Sequence, residues 1–516
     1  MKKWRKLKPN KKWTAIFAVL WLLSNIIAIV LTDNWNTDHI VGLFLGNLIF
    51  IVSLLYFTLL FRLIQRLSLF TVDRVKHFYR WSFWILAAVM FLLPFFFIIH
   101  VPDSAHNWDF FVIFDSTTLL RGRSFSHLPM TVSRLGYFLR YSNNQFFGIL
   151  FNQFFAPFAG NIQLKIWVMT AVSSFFTSAS VLGGSLITKK MASRKIALLY
   201  NAAAVGFIPF YFYGAQLYTD TMTLPFVIFG LLFAIYALKA ENWQKRVFWY
   251  FLSCLFIVIG YEFKPTVAII LISVLFFLCI NRKWKQVLLI VPLFAVLFLA
   301  GHEVVKTTVT SEPAFSQKAN NAHNLPLMHW IAMSWAPENK TGGFDVKIRK
   351  YSASFPTYAA KNKADKTLFL NNLKKMGLVG VLVQIGRKLA YTWTFGDLNS
   401  SFYTYHHENP LVNRYFDYLD MGSHRYEGNI TGWFMLKVAE TLYWIVLVIF
   451  MWREIFQSLR KKNWGNPWFI PALAMLGLTL FLILWEANSR YLYNFAPLMI
   501  ALASLGAFRT LKDKSV

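Results

Sequence analysis

An all-α polytopic membrane protein is the fold class the sequence predicts, and three observations predict it. Of the 516 residues 57% are hydrophobic and 15% charged, a balance too apolar for an ordinary soluble enzyme. Apolar runs long enough to cross a hydrocarbon core of ~30 Å, about 20 helical residues, recur from Trp13 almost to the C-terminus. The bases gather in short clusters between those runs, although 52 Lys plus Arg against 23 Asp plus Glu give a net charge of +29. In a soluble chain that charge would suggest nucleic acid. Here the RNP, finger and homeodomain signatures are missing, so no nucleic-acid partner is expected.

Twelve spans are expected, near 13–31, 41–62, 82–100, 163–184, 196–214, 221–238, 247–260, 265–280, 286–303, 434–452, 467–485 and 491–508. The run 146–158 is shorter and follows Asn143, Asn144 and Gln145, so it reads as a re-entrant or interfacial helix, or a thirteenth span. Basic clusters at 2–12, 62–80, 189–195, 239–246, 282–285, 453–462 and 509–514 alternate in phase with the spans, which by the positive-inside rule places them in the cytoplasm. The first span reads as a retained anchor, because its apolar stretch is long and no A-x-A-like site follows. Cys254 and Cys279 lie in apolar runs and read as small buried hydrophobes, with no disulfide framework or metal site.

This polarity divides the chain into three regions. Residues 1–303 form an N-terminal transmembrane region with an outward catalytic loop at 101–162. Residues 304–433 form an extracytoplasmic loop or small subdomain, in which the apolar stretch 376–395 is a candidate for embedding in the membrane. Residues 434–516 form a C-terminal transmembrane region. Polar and aromatic residues concentrate just beyond span ends instead of at the midplane, as a transporter would have them, which favours an interfacial enzyme.

Asp109 is the leading candidate for a general base. It stands beside Trp108, Phe110 and Phe111 just after a span, where partial desolvation suits a carboxylate to take a proton from a hydroxyl. Asp103 and Asp115 are secondary acid candidates. In the same loop Arg140, with Asn143 and Asn144, suits phosphate oxygens and sugar hydroxyls. Asp220 follows Tyr218 in a short acidic and aromatic turn, and Lys264 sits in a very short turn before Pro265. Ionisable groups so near membrane depth are costly, so they pair or they function. Glu486 and Arg490, four apart, would form an ion pair if helix persisted there, with Arg490 holding a phosphate and Tyr491 beside it. Lys388 and His329 complete the donor phosphate or sugar-binding set; His323 and His329 lack an HExxH pattern, so a metal is not indicated and metal dependence stays open.

Four pieces together, Asp109, the Tyr141, Ser142, Asn143, Asn144 stretch, the Tyr218, Thr219, Asp220, Thr221 turn and the Glu486 to Tyr491 segment, carry a resemblance. The chain resembles the GT-C membrane glycosyltransferases of the protein mannosyltransferase and aminoarabinose transferase group, in its Gram-positive bacterial type. The resemblance implies a GT-C-like transmembrane bundle with interfacial loop helices. It also implies transfer of a sugar, usually with inversion, from a polyprenyl-phosphate or polyprenyl-diphosphate donor, with Asp109 as base and Arg490 as phosphate ligand. The implied setting is the outer face of the cell membrane and cell wall biogenesis, among membrane lipids, with a cell-envelope glycan, teichoic acid or protein as acceptor. Departures from the family pattern are the two spans and the turn around Asp33 and His39 that precede its first span, the lack of an Asp-x-Asp signature, and no outward domain expected after the last span. The alternative is a transporter or flippase of a lipid-linked sugar, with Glu262, Lys264, Glu486 and Arg490 lining its path.

Overall fold

A computed structural model describes residues 11–32, 35–67, 69–99, 108–404, 407–420, 426–462 and 464–513. The chain is an all-α polytopic membrane protein: nine helices among the described residues are long and apolar enough to span a bilayer. Shorter apolar helices cover Ala15–Val30, Pro265–Ile280 and Phe469–Leu484. Burial separates those that face lipid from those inside the bundle. Only 6% of the apolar window of Trp284–Thr310 is buried, against 89% for Ser489–Thr510. The C-terminal helix is therefore the hub, and Leu492, Tyr493, Phe495, Leu498 and Ile500 are inaccessible within it.

The expectation of a single span near 196–214 is corrected. Two helices stand there, Arg194–Val205 and Pro209–Gly214. Gly206 receives the end of the first, and Pro209, which lacks a backbone N–H, begins the second. All six residues of the second are buried, so hydropathy there reports a core element. Conversely, the stretch from Met376 is the latter half of Tyr358–Trp393, a helix whose first half is rich in Lys. Gly377, at φ 59° and ψ −175°, bends it where the character changes. Leu378 and Val379, just beyond the bend, are 77% and 75% exposed to the surroundings.

The segment after Trp108 builds a core of its own. Asp109–Leu120, Leu135–Arg140 and Gln145–Phe155 are short helices whose Phe110, Phe114, Phe138 and Phe155, with Phe125 from the turn between the first two, are almost inaccessible. Each such side chain contributes about 1.5–3 kcal/mol by burial. The residues that follow Trp284–Thr310 close over this core: Phe315 packs on Phe125 at 5.0 Å, and the Gln145 side-chain amide donates to Asn320 Oδ1 at 2.7 Å. A small antiparallel hairpin, Tyr418–Asp420 with Tyr426–Gly428, precedes the helix Ile430–Arg460.

Candidate functional site

Two helix N-termini converge on the hub helix. Asp109 occupies the first turn of Asp109–Leu120, a favourable place for negative charge. The far end of the same helix is held by Lys165, inaccessible to solvent, whose ammonium donates to the Thr117 and Thr118 hydroxyls at 3.0 and 2.7 Å and lies 4.4 Å over the Phe114 ring. A cation at that end complements the helix dipole. Asp220 lies in the first turn of Thr219–Lys239. There the Thr221 hydroxyl accepts the Tyr218 N–H at 3.0 Å and donates to the Gln216 carbonyl at 2.9 Å, closing the turn.

Arg490 joins the two carboxylates. Its Nη2 is 4.0 Å from Asp109 Oδ2 and its Nε is 3.4 Å from Asp220 Oδ2. The second contact has no hydrogen-bond alignment, and the buried Nε and Nη1 donate to nothing. The guanidinium is ringed by aromatic faces, Tyr403 at 4.2 Å, Trp108 at 5.1 Å, Tyr218 at 5.4 Å and Tyr491 at 5.7 Å. Cation–π attraction holds it while its donor edges stay unbonded. Lys264 pairs with Asp220 and lies 4.6 Å over the Tyr491 ring. Asp220 is thus neutralised twice over and 2% exposed, whereas the Asp109 side chain is 34% exposed. Of the two carboxylates, Asp109 is the one a hydroxyl can reach.

Tyr218 donates its hydroxyl to Asp109 Oδ2 at 2.9 Å. Burial, and then the Asp109 charge, hold this phenol well above the ordinary tyrosine range, so it stays a donor. Glu486 accepts the Tyr491 hydroxyl at 3.1 Å. Burial raises its carboxyl to about 7, against the pull of Arg490. The expected Glu486–Arg490 pair on one helical face is corrected: Trp485 is extended at ψ 179°, the following turn is the 3-10 helix Ser489–Phe495, and Arg490 turns to Asp220 and Asp109 instead. Gly342, at φ 69°, lets a tight turn reach this extended segment, where its carbonyl takes the Ala487 N–H at 2.9 Å.

The remaining expected residues lie around this centre. Lys388, 1% exposed, donates to the Ser334 hydroxyl at 2.8 Å and to the Trp485 carbonyl at 2.6 Å, one layer behind Glu486. Asn144 donates to the Tyr137 hydroxyl at 2.6 Å, and Asn143 to Asn144 at 3.3 Å. Asp115 faces Arg134 at 3.6 Å. His329 is inaccessible, with Nδ1 2.8 Å from the Ser352 hydroxyl, and burial takes its imidazole down to about 4. Arg140 donates to the Val132 carbonyl at 2.5 Å, away from Arg490. Glu262 turns to His302 at 3.6 Å, so it does not continue the line of Lys264, Glu486 and Arg490 that a transport path would use. Asp103 lies outside the described residues. Among the described residues no three His, Cys, Asp or Glu side chains converge; Asp109 and Asp220 face cations of the chain, a donor set that does not fit a divalent metal.

Tyr403 and Lys165 were not anticipated as site residues, and Trp108 was expected only as an aromatic neighbour of Asp109. The Tyr403 segment is tied to Ile430–Arg460 by the buried Asp397, which pairs with Lys437 and accepts the Ser401 hydroxyl at 2.9 Å, and Asn488 donates to the Tyr403 hydroxyl at 2.7 Å. Lys165 did carry a signal, since a lone ammonium inside an apolar span demands a role.

A protein-family model described as "conserved hypothetical integral membrane protein" matches residues 7–511. The chain belongs to that family. No curated protein matches this integral membrane protein in sequence. It is similar to the solved structure of ArnT from Cupriavidus metallidurans bound to undecaprenyl phosphate, at 10% identity over 82% of this chain and 77% of that one, with a TM-score of 0.31. It is also similar to the archaeal oligosaccharyltransferase AglB from Archaeoglobus fulgidus, in complex with an inhibitory peptide and a dolichol-phosphate, at 13% identity over 86% of this chain and 52% of that one, with a TM-score of 0.38. Likeness at this level assigns a role to no residue of this chain.

Proposed function

We propose that this protein is a membrane glycosyltransferase of GT-C type. It takes a sugar from a polyprenyl-phosphate or polyprenyl-diphosphate donor and transfers it to a cell-envelope acceptor at the extracytoplasmic face of the cell membrane. The observation that carries the reading is the pairing, 4.0 Å apart, of a reachable carboxylate, Asp109, with a buried guanidinium whose Nε and Nη1 are unbonded. One group is suited to accept a proton and the other to hold a phosphate, and Trp108 and Tyr403 supply the aromatic faces beside them.

In this mechanism the acceptor hydroxyl attacks the anomeric carbon of the donor. Its proton passes to Asp109 Oδ as the new carbon–oxygen bond forms. The bond from the anomeric carbon to the phosphate oxygen breaks on the opposite side, with inversion, and the electron pair leaves with the phosphate. Arg490 and Lys264 balance that charge, with Lys388 contributing from behind Glu486. Phosphate is already a good leaving group, so no separate acid is needed. Tyr218 orients the base through its 2.9 Å bond. The test is glycosyl transfer by purified protein in lipid from a panel of polyprenyl-linked sugars. Arg490→Lys keeps the charge but loses the fork, and transfer is expected to fall at least about tenfold; unchanged transfer would remove Arg490 from the mechanism.

A further inference from the structure

A second group of cations gathers around Tyr141. Arg140 lies over the Tyr141 ring at 5.6 Å, and its Nε is buried without a partner. The Leu325 N–H donates to the Arg140 carbonyl at 3.0 Å, bringing His323 to the same edge. Lys361 donates to the carbonyl of Ala322, the residue before His323. Arg349 arrives by another route. It stands three residues before Ser352 on Val346–Ala353 and so shares its face, and Ser352 is held by His329 at 2.8 Å and donates to Asp365 at 2.6 Å.

These charges repel one another. After burial, the Arg349 charge holds Arg140 below the usual guanidinium range, and after burial Lys361 and Arg140 lower His323. Among the described residues no ion pair relieves Arg140 or Arg349; Asp365 faces Lys361, and Asp345 is engaged in capping Val346–Ala353. The imbalance extends through the segment, where residues 317–388 carry twelve Lys and Arg against three Asp and Glu. Like charges gathered without counter-charge are unfavourable unless an anion occupies the edge they share.

The edge leads to the reaction centre. After burial, the Asp109 charge raises the Tyr141 phenol while Arg140 and Arg349 pull it down, so both groups of charge act on this one residue. Its ring meets Trp330 at 5.7 Å, and Trp330 stacks on Trp485 at 6.2 Å, next to Glu486. An aromatic wall therefore runs from the cations to Glu486, at the edge of the reaction centre. The donor phosphate already has Arg490 and Lys264, so this set serves the other substrate.

We propose that Arg140, Arg349 and His323, backed by Lys361, form the acceptor subsite, and that the acceptor is an anionic polymer carrying phosphodiester groups. This rests on Asp109 being the base, and it names the acceptor class of that same site. Arginine forks grip phosphodiester oxygens while the wall guides the sugar or polyol hydroxyl toward Asp109.

The test measures binding, so it stands apart from transfer. Full-length protein in zwitterionic nanodiscs is titrated with a synthetic glycerol-phosphate oligomer and with neutral dextran of similar length. The oligomer is expected to bind with an affinity that falls as salt rises, and dextran not to bind. Arg140→Gln with Arg349→Gln should weaken binding roughly tenfold or more, while Arg140→Lys with Arg349→Lys, which keeps both charges and loses the forks, should weaken it less, which separates charge from misfolding. Arg282→Gln with Lys283→Gln, at a distant cluster, should leave it unchanged. Equal loss in the distant variant, or equal binding by dextran, would overturn the proposal. So would an oligomer that fails to bind while the Gln variants lose affinity for phosphatidylglycerol vesicles, since the cations would then be lipid anchors. Binding as expected without transfer from any donor would leave the acceptor site standing and count against the reaction.

Discussion

At the residue scale, the charges that meet at Arg490 were legible because each stands at a span end, where an ionisable group is costly unless paired or used. Asp109, Asp220, Lys264, Glu486 and Arg490 all drew attention for that reason, and they come together. Tyr403 was invisible. An aromatic residue in a long polar loop gives no sign that an ion pair elsewhere, Asp397 with Lys437, will swing it over Arg490. If the ring is what holds the guanidinium, Tyr403→Phe should bind a polyprenyl phosphate as wild type does. Tyr403→Ala should lose about 0.5–2 kcal/mol, or roughly twofold to thirtyfold in affinity; equal losses in both would assign the effect to the hydroxyl. Glu486 gives the pH dependence. With its carboxyl at about 7, it is neutral below that pH and charged above it, and its negative charge beside Arg490 and Lys264 opposes a bound phosphate. Affinity for polyprenyl phosphate should therefore fall as pH rises through about 7, and Glu486→Gln should flatten the profile. A bend that survives in Glu486→Gln would belong to another group.

At the element scale, hydropathy found the long helices and misread a break. Gly206 and Pro209 mark that break in the sequence, yet the residues around them are apolar enough to look like one span, because a helix buried in protein and one buried in lipid share a composition. The persistence of helix through Glu486 to Arg490 was the opposite error, made because spacing alone says nothing about an extended Trp485. Two substitutions test the elements that aim the site. Gly377 sits in a backbone region open essentially to glycine, with no atom near the position of a Cβ. Gly377→Ala should therefore cost of order 1–3 kcal/mol from the backbone alone, seen as a lower thermal midpoint in detergent; an unchanged midpoint would mean the bend is absent. Lys165→Met removes the cation that caps Asp109–Leu120. A loss of up to about 2 kcal/mol is expected, together with a transfer defect larger than that of a surface lysine such as Lys318.

At the scale of the whole molecule, the architecture gathers three distant stretches, the helix that begins at Asp109, the Tyr218 turn and the extended segment around Glu486, onto the buried C-terminal helix. No local pattern foretells that convergence; it follows from which helices are hidden and which face lipid. The proposed sidedness has its own check. In a background with Cys254 and Cys279 replaced, a cysteine at Lys340 should label with an impermeant maleimide in intact cells, and one at Lys462 only after lysis; the reverse pattern would place the site on the cytoplasmic face. The central claim is that Asp109 takes the proton as a new glycosidic bond forms. It is tested most directly by comparing wild type with Asp109→Asn in purified, lipid-reconstituted protein supplied with polyprenyl-linked sugars and the glycerol-phosphate oligomer. The expected result is a new glycosidic bond in wild type and a fall of roughly 10²–10⁴-fold in Asp109→Asn, whose side-chain carbonyl can still accept the Tyr218 hydroxyl and keep the fold. Lipid-linked sugar crossing the bilayer equally well in both proteins, with no new bond in either, would contradict the account.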